Sequence, residues 1–265
     1  MGAKTRLIYD NLWRKGTMGT LAVAPLLSSE DPKHPATDTQ TDTLSMYWKA
    51  SSDEDTVTIP IDQGTASGMG AIDFVAILAH NIEATGVVIT LEGDDADTFN
   101  SDGGNPQVSH AIVYNATNIF QFVTAFTKQY VRVRLVRAAG NFPVLPQIAT
   151  ILCGSYAELN RRFAPKYEIG EEDFSEEEYS DSQVLFSQEK NTLNIRRYSY
   201  QALNDASAIE ILSMFEECKT IKAFAFCHNY KNPNSNTLWV RNSELISPEC
   251  RNGVWYWEMA IKEVR

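Results

Sequence analysis

The chain has 265 residues, 43% hydrophobic and 22% charged, a length that suits two domains and a composition that buries a core. Its formal charge of -11 argues against wrapping a nucleic-acid backbone, which needs clustered Lys and Arg. No run reaches the ~18 apolar residues of a membrane helix, and charges at Lys4, Arg6 and Asp10 break the apolar core that a signal peptide needs.

The first half reads as short strands separated by turn residues. Residues 7–9 and 21–23 come first, with Gly16 and Gly19 between them, and 28–43 is a polar loop rich in Ser, Thr, Asp and Pro. Residues 47–50 lead into 56–62, where apolar and polar positions alternate with period two. The run 74–79 is apolar throughout, as in a strand buried on both faces. Residues 87–91, 130–135 and 148–153 complete the set. Repeated strands with scarcely a helical pattern predict a β-sandwich.

Residues 168–181 are acidic, with Glu171, Glu172, Asp173, Glu176, Glu177 and Glu178. Such dense carboxylates form a solvated loop or arm, or an arm that docks on a basic patch of a partner.

The last part changes grammar. Residues 192–201 alternate, Asn204 or Asp205 can cap a helix, and Ile209, Leu212, Met214, Phe215 and Cys218 recur at helical spacing up to about 219. Strands follow at 223–227, 238–240 and 254–263, with an Asn- and Pro-rich turn at 229–236. The expected architecture is mainly β. A jelly-roll sandwich over 1–158 is followed by an acidic linker or arm at 159–185. A small α+β domain over 186–265 then packs one helix on a sandwich or barrel.

Catalytic signatures are missing. The sequence has no phosphate-binding loop and no Gly-x-Ser-x-Gly elbow, and its four histidines have no metal-ligand spacing. The chain is therefore expected not to be an enzyme and to carry no cofactor. Cys153, Cys218, Cys227 and Cys250 sit among apolar neighbours, which suits buried thiols; a disulfide and a metal cluster are the alternatives. Cys227 and His228 are strand neighbours and point to opposite faces. Asp94, Asp95 and Asp97 supply the hard oxygens calcium needs, in a loop that lacks the offsets of the helix-loop-helix calcium site. The plain alternative is an exposed connection.

Three segments carry a resemblance. Trp48-Lys49-Ala50, then Ile61-Asp62-Gln63-Gly64, then Ile77-Leu78-Ala79-His80-Asn81 resemble, in order and spacing, the discoidin-like (galactose-binding-like) sandwich of bacteriophage tail and tail-tip proteins. An Arg-bearing strand at 130–135 and an apolar strand ending at Gly154 are similar to the closing part of that pattern, so the resemblance spans 5–160. Residues 186–265 resemble, more faintly, the tube-forming domain of distal tail proteins, in which that domain precedes the sandwich instead of following it. The resemblance implies a structural component of a virion tail tip or baseplate, made in the bacterial host cytoplasm. It implies a homo-oligomeric ring of three- or six-fold symmetry that touches other tail proteins. It also gives Trp48, Asp62, His80 and Asn81 structural roles. Attachment to a host cell-surface glycan is the alternative, although the loops at 28–43 and 92–110 hold a single aromatic ring of the Phe, Trp or Tyr type, Phe99. Trp239, Trp255, Tyr256 and Trp257 crowd the C-terminal strands, either as ordinary core and surface or as an intersubunit contact. Tyr256 and Glu258, which face away from the Trp255 side, are the interface candidates, with Glu171 and Glu172 on the acidic arm.

Overall fold

The computed structural model describes residues 4–18, 31–51, 55–64, 69–83, 85–161, 163–172, 176–179, 185–188 and 193–264, without the side chains of 17–18 and 163–194. The strand expected at 21–23 lies outside the described residues.

The chain opens with β1 (Arg6–Ile8), the one-turn helix α1 (Leu12–Lys15), β2 (Thr17–Met18) and a 3-10 turn at Ala36–Gln40. It continues through β3 (Trp48–Lys49), β4 (Thr56–Asp62), β5 (Ile72–His80), β6 (Val87–Asp94) and β7 (Val108–Ile112). Next come β8 (Asn118–Phe126), β9 (Tyr130–Arg137), β10 (Gln147–Gly154) and β11 (Ala157–Glu158). After β12 (Phe163–Glu172), β13 (Glu176–Tyr179) and β14 (Leu185–Gln188), the long β15 (Leu193–Leu203) leads into α2 (Asp205–Cys218). The remaining elements are β16 (Phe224–Cys227), α3 (Pro233–Asn236), β17 (Thr237–Asn242), β18 (Glu249–Arg251) and β19 (Val254–Glu263).

The expected sandwich is present. A sheet ordered β2-β4-β9-β6-β7 faces one ordered β3-β10-β5-β8, and every strand pair is antiparallel. Between them lie Val57, Ile59, Leu91, Val133 and Leu135 from one sheet and Trp48, Val75, Ile77 and Ile151 from the other. The other face of the four-stranded sheet is equally apolar. Phe74, Ala76, Leu78 and Leu152 pack against Ile8, Ala225, Cys227 and Trp239 of a third sheet. That is why 74–79 lacks alternation: its two faces serve two different cores.

The third sheet has eight strands, ordered β11-β1-β16-β17-β19-β15-β12, with β18 on β19. Its far face carries α2, where Ile211, Met214, Phe215 and Cys218 pack on Leu7, Tyr198, Phe226 and Trp257. Asn204 caps the helix, its side chain accepting from the Ser207 N–H, and Lys219 ends it at φ 48°. The order of layers is thus sheet, sheet, sheet, helix.

This topology divides the chain differently from the expected boundaries at 158 and 185. The first strand, β1, joins β16 and β11 in the third sheet, and β12 is a strand of that sheet, so 163–172 is not a linker. Nor does the C-terminal part form its own sandwich or barrel. Its sheet stays open, and the layer opposite the helix is the N-terminal sandwich. The physical reason is local: Leu7 and Ile8 are adjacent and both apolar, so the strand is stable only where both its faces are covered.

Candidate functional site

The β1 strand brings the next residues, Tyr9 and Asp10, beside the end of β10 and the flank of α2. Between these elements lies a cleft of about 520 Å³, lined by Tyr9, Asp10, Lys15, Tyr156, Glu210 and Glu216, among others. Clefts between packed units are a common place for ligands, and this volume is in the usual range. The close crossing of backbone there depends on Gly154, where an added Cβ would sit 2.1 Å from the Asp10 carbonyl oxygen.

The cleft is mostly acidic. The Tyr9 hydroxyl donates to Glu210 Oε2 at 2.8 Å, and burial together with that carboxylate raises the tyrosine pKa. Lys15 Nζ lies 2.5 Å from Asp10 Oδ1. Lys222 donates to Glu217 at 2.9 Å and holds that carboxyl below the usual carboxylate range. Behind the cleft the guanidinium of Arg6 is boxed by three rings, 3.8 Å from the centroid of Tyr156, 3.9 Å from Tyr230 and 4.4 Å from Phe122. Its Nε reaches Glu158 Oε2 at 3.1 Å. Sequence reading missed the cleft because its residues come from three separated segments.

The residues of the discoidin resemblance lie in or around the first core. Trp48 is fully buried between the sandwich sheets. His80 ends β5, where its Nδ1 accepts from the Ile82 N–H at 3.2 Å and its ring meets Tyr114 edge-on; burial lowers its pKa. Asn81 donates to the Leu145 carbonyl and accepts from the Gln147 N–H at 2.7 Å. Asp62 accepts from the Gly64 N–H at 2.7 Å, which closes the turn after β4.

The three aspartates proposed for calcium do not converge. Asp94 is fully buried and its carboxylate is occupied by the Ala96 and Ser101 N–H groups and the Ser101 hydroxyl. These hydrogen bonds outweigh desolvation and lower its pKa. Asp95 instead pairs with Lys128 at 2.8 Å. Among the described residues no group of three or more metal-ligating side chains comes together, Asp97 included. The loop folds back on the sheet, where Phe99 covers the Arg132 guanidinium at 4.2 Å and Arg132 pairs with Glu92 at 2.6 Å.

Cys153, Cys218 and Cys227 are buried free thiols, and burial pushes Cys218 up to about 12. Cys250 is free but exposed on the short β18, contrary to the expectation of a buried position. An apolar neighbourhood in sequence does not bury a residue on an edge strand. Tyr256 is 37% exposed, with Arg251 over its ring, and Glu258 lies 3.7 Å from Arg197. The side chains of Glu171 and Glu172 lie outside the described residues. One aromatic pair went unrecognised: Tyr47 stacks on His34 of the polar loop, with ring centroids 4.2 Å apart and planes 13° apart.

No family model matches the chain, and no curated protein matches it. Solved structures similar in shape include chitosan-binding module 1 of a chitosanase/glucanase from Paenibacillus sp. IK-5. It is 16% identical, with 55% of this chain and 98% of that one covered and a TM-score of 0.39. A CBM32 module from Clostridium perfringens, solved with GlcNAc-α-1,4-galactose, is 14% identical over 56% of this chain and 94% of its own, with a TM-score of 0.38. The lectin domain of lectinolysin complexed with Lewis B antigen is 13% identical over 56% and 98%, with a TM-score of 0.40. None of the three is a phage protein. At these scores the likeness carries no claim about ligand or partner.

Proposed function

We propose that this chain is a non-catalytic structural protein that assembles with copies of itself into a ring, as a component of a bacteriophage tail tip or baseplate. One observation supports the reading above others, the edge of the third sheet. Edge strands are usually kept short or capped, because their free backbone groups recruit other chains. In this molecule β2, β3 and β11 are two residues each. The β8 edge is capped at Phe120, whose N–H donates to Asn234 Oδ1, and the β7 edge is bridged by the side chain of Gln121 to Ala111 and Val113. By contrast β12 has ten residues, and among the described residues its only partner is β15. Next in the chain, the β13–β14 hairpin forms a separate two-stranded sheet whose first strand is acidic in sequence.

Negative-stain micrographs and light scattering of the purified protein test this. Closed rings of three or six copies are the expected result. A monomeric particle in solution that also stands alone in an assembled virion would overturn the proposal.

A second reading, attachment to a cell-surface glycan, draws on the half-buried His34–Tyr47 stack, since aromatic side chains line ligand sites. Screening the protein on a glycan array, with Tyr47→Ala alongside, decides it. Binding lost in the variant while its fold is kept favours the glycan; no binding by either protein sinks this reading.

A further inference from the structure

The helix α2 turns one apolar face to the third sheet and keeps a second one outward. Ile209 is 62% and Leu212 41% exposed, one turn apart on the same side. Two surface aliphatics alone mean little. Their surroundings are what matter. Asp205, Glu210, Glu216 and Glu217 border them on the same helix, and the acidic cleft opens along its flank. Three of the nearby cations are already engaged: Lys15 with Asp10, Lys222 with Glu217, and Arg14 with Asp42 at 2.9 Å. Glu210 accepts from Tyr9, and among the described residues no Lys or Arg pairs with it or with Glu216.

We propose that the outward face of α2 and the adjoining cleft dock a basic amphipathic segment of a neighbouring protein. This deepens the assembly reading and rests on it. Charge complementarity selects the occupant. Two apolar side chains of the partner would cover Ile209 and Leu212, while a Lys or Arg beside them enters the cleft. Its methylene stem lies along the Tyr9 and Tyr156 rings and its charged head meets Glu210 and Glu216. An anionic lipid surface is disfavoured by the same carboxylates.

The test uses the full chain at about 0.15 M ionic strength, where long-range attraction is screened. The probe is a fluorescent synthetic peptide of roughly 16 residues, about four helical turns, with two Leu one turn apart flanked by Arg. A second peptide replaces each Arg by Glu. Saturable binding of the Arg peptide is expected, and none of the Glu peptide. Ile209→Ser combined with Leu212→Ser, and separately Glu210→Gln combined with Glu216→Gln, should each weaken binding about tenfold, equivalent to ~1.4 kcal/mol. Ile209, Leu212 and Glu216 are exposed on the outer side of the helix and Glu210 is half-buried on its cleft flank, where Gln keeps an acceptor for Tyr9; unchanged circular dichroism confirms that the variants fold. Equal binding by wild type and variants, by both peptides, or by phosphatidylserine vesicles in place of the peptide, overturns the proposal. Light scattering separates it from the reading beneath it. Rings without peptide binding sink the docking site alone, whereas peptide binding by a strict monomer sinks the ring.

Discussion

The Arg6 guanidinium lies 3.8 Å from the ring centroid of Tyr156, and this contact joins the first strand of the chain to the segment that leaves the sandwich. Arg6 belongs to the third sheet through β1, and Tyr156 follows β10 of the sandwich. The pair therefore fastens one layer to another. Two further rings and Glu158 complete the box, and the Arg6 side chain is only 12% exposed.

Replacing Arg6 by Ala should accordingly cost about 2–4 kcal/mol, from the lost cation–π contacts and a carboxylate left with less charge compensation. Arg6→Lys should recover only part of it, because an ammonium cannot stack as a guanidinium does. Urea denaturation of the three proteins measures both values. A loss below the ordinary surface range for Arg6→Ala would mean that the layers hold together without the box.

Trp48→Ala should cost on the order of 3–5 kcal/mol, the range for removing a large buried aromatic. Trp48 fills the space between the sandwich sheets, so assembly should be lost through misfolding. A Trp48→Ala protein with a normal melting curve that had lost glycan binding would point to the binding-module reading instead.

Acid should weaken the fold in a defined window. Burial lowers the pKa of both His80 and His228, so each is more readily protonated when unfolded than when folded. Their contribution is fully present above the unfolded value of ~6.5 and is lost as pH falls through the lower folded values. Wild type should lose more stability between pH ~7.5 and ~5.5 than His80→Gln does, when both are followed by urea denaturation. Equal slopes would remove His80 from the account.

Calcium should leave the melting temperature unchanged, because Asp94 is already satisfied by its own loop and Asp95 by Lys128. The loop needs that carboxylate even so. Asp94→Ala strands the Ala96 and Ser101 N–H groups and should cost about 1–3 kcal/mol. A rise in melting temperature with calcium in wild type, absent in Asp94→Ala, would restore the metal reading.

At Gly154 even a methyl group should be costly. Alanine there collides with the Asp10 carbonyl, so Gly154→Ala should destabilise by about 1–3 kcal/mol. The displaced Asp10 also borders the cleft, so binding of the Arg peptide should weaken along with stability. Thermal melts and the fluorescent-peptide binding assay read the two effects separately.

The sequence by itself determined the elements whose side chains obey one simple period. The alternation of 56–62, the apolar run 74–79, the capped helix beginning after Asn204 and the strand carrying Trp255, Trp257, Met259 and Ile261 all appear where the residues predict them. Strands without such a period escaped. β8 mixes buried and exposed positions on one face, and β12 is acidic, so neither looks like a buried strand. Pairing between distant segments was decided only by the tertiary structure. Nothing in Leu7 and Ile8 says that they pair with Phe226 and Ala225, more than two hundred residues away, because a strand with only two apolar residues fits many sheets. From that one pairing follow the shared core, the Arg6 box and the cleft. Each needs side chains from segments whose separation in sequence carries no periodic signal, and only burial of both faces of β1 brings them together.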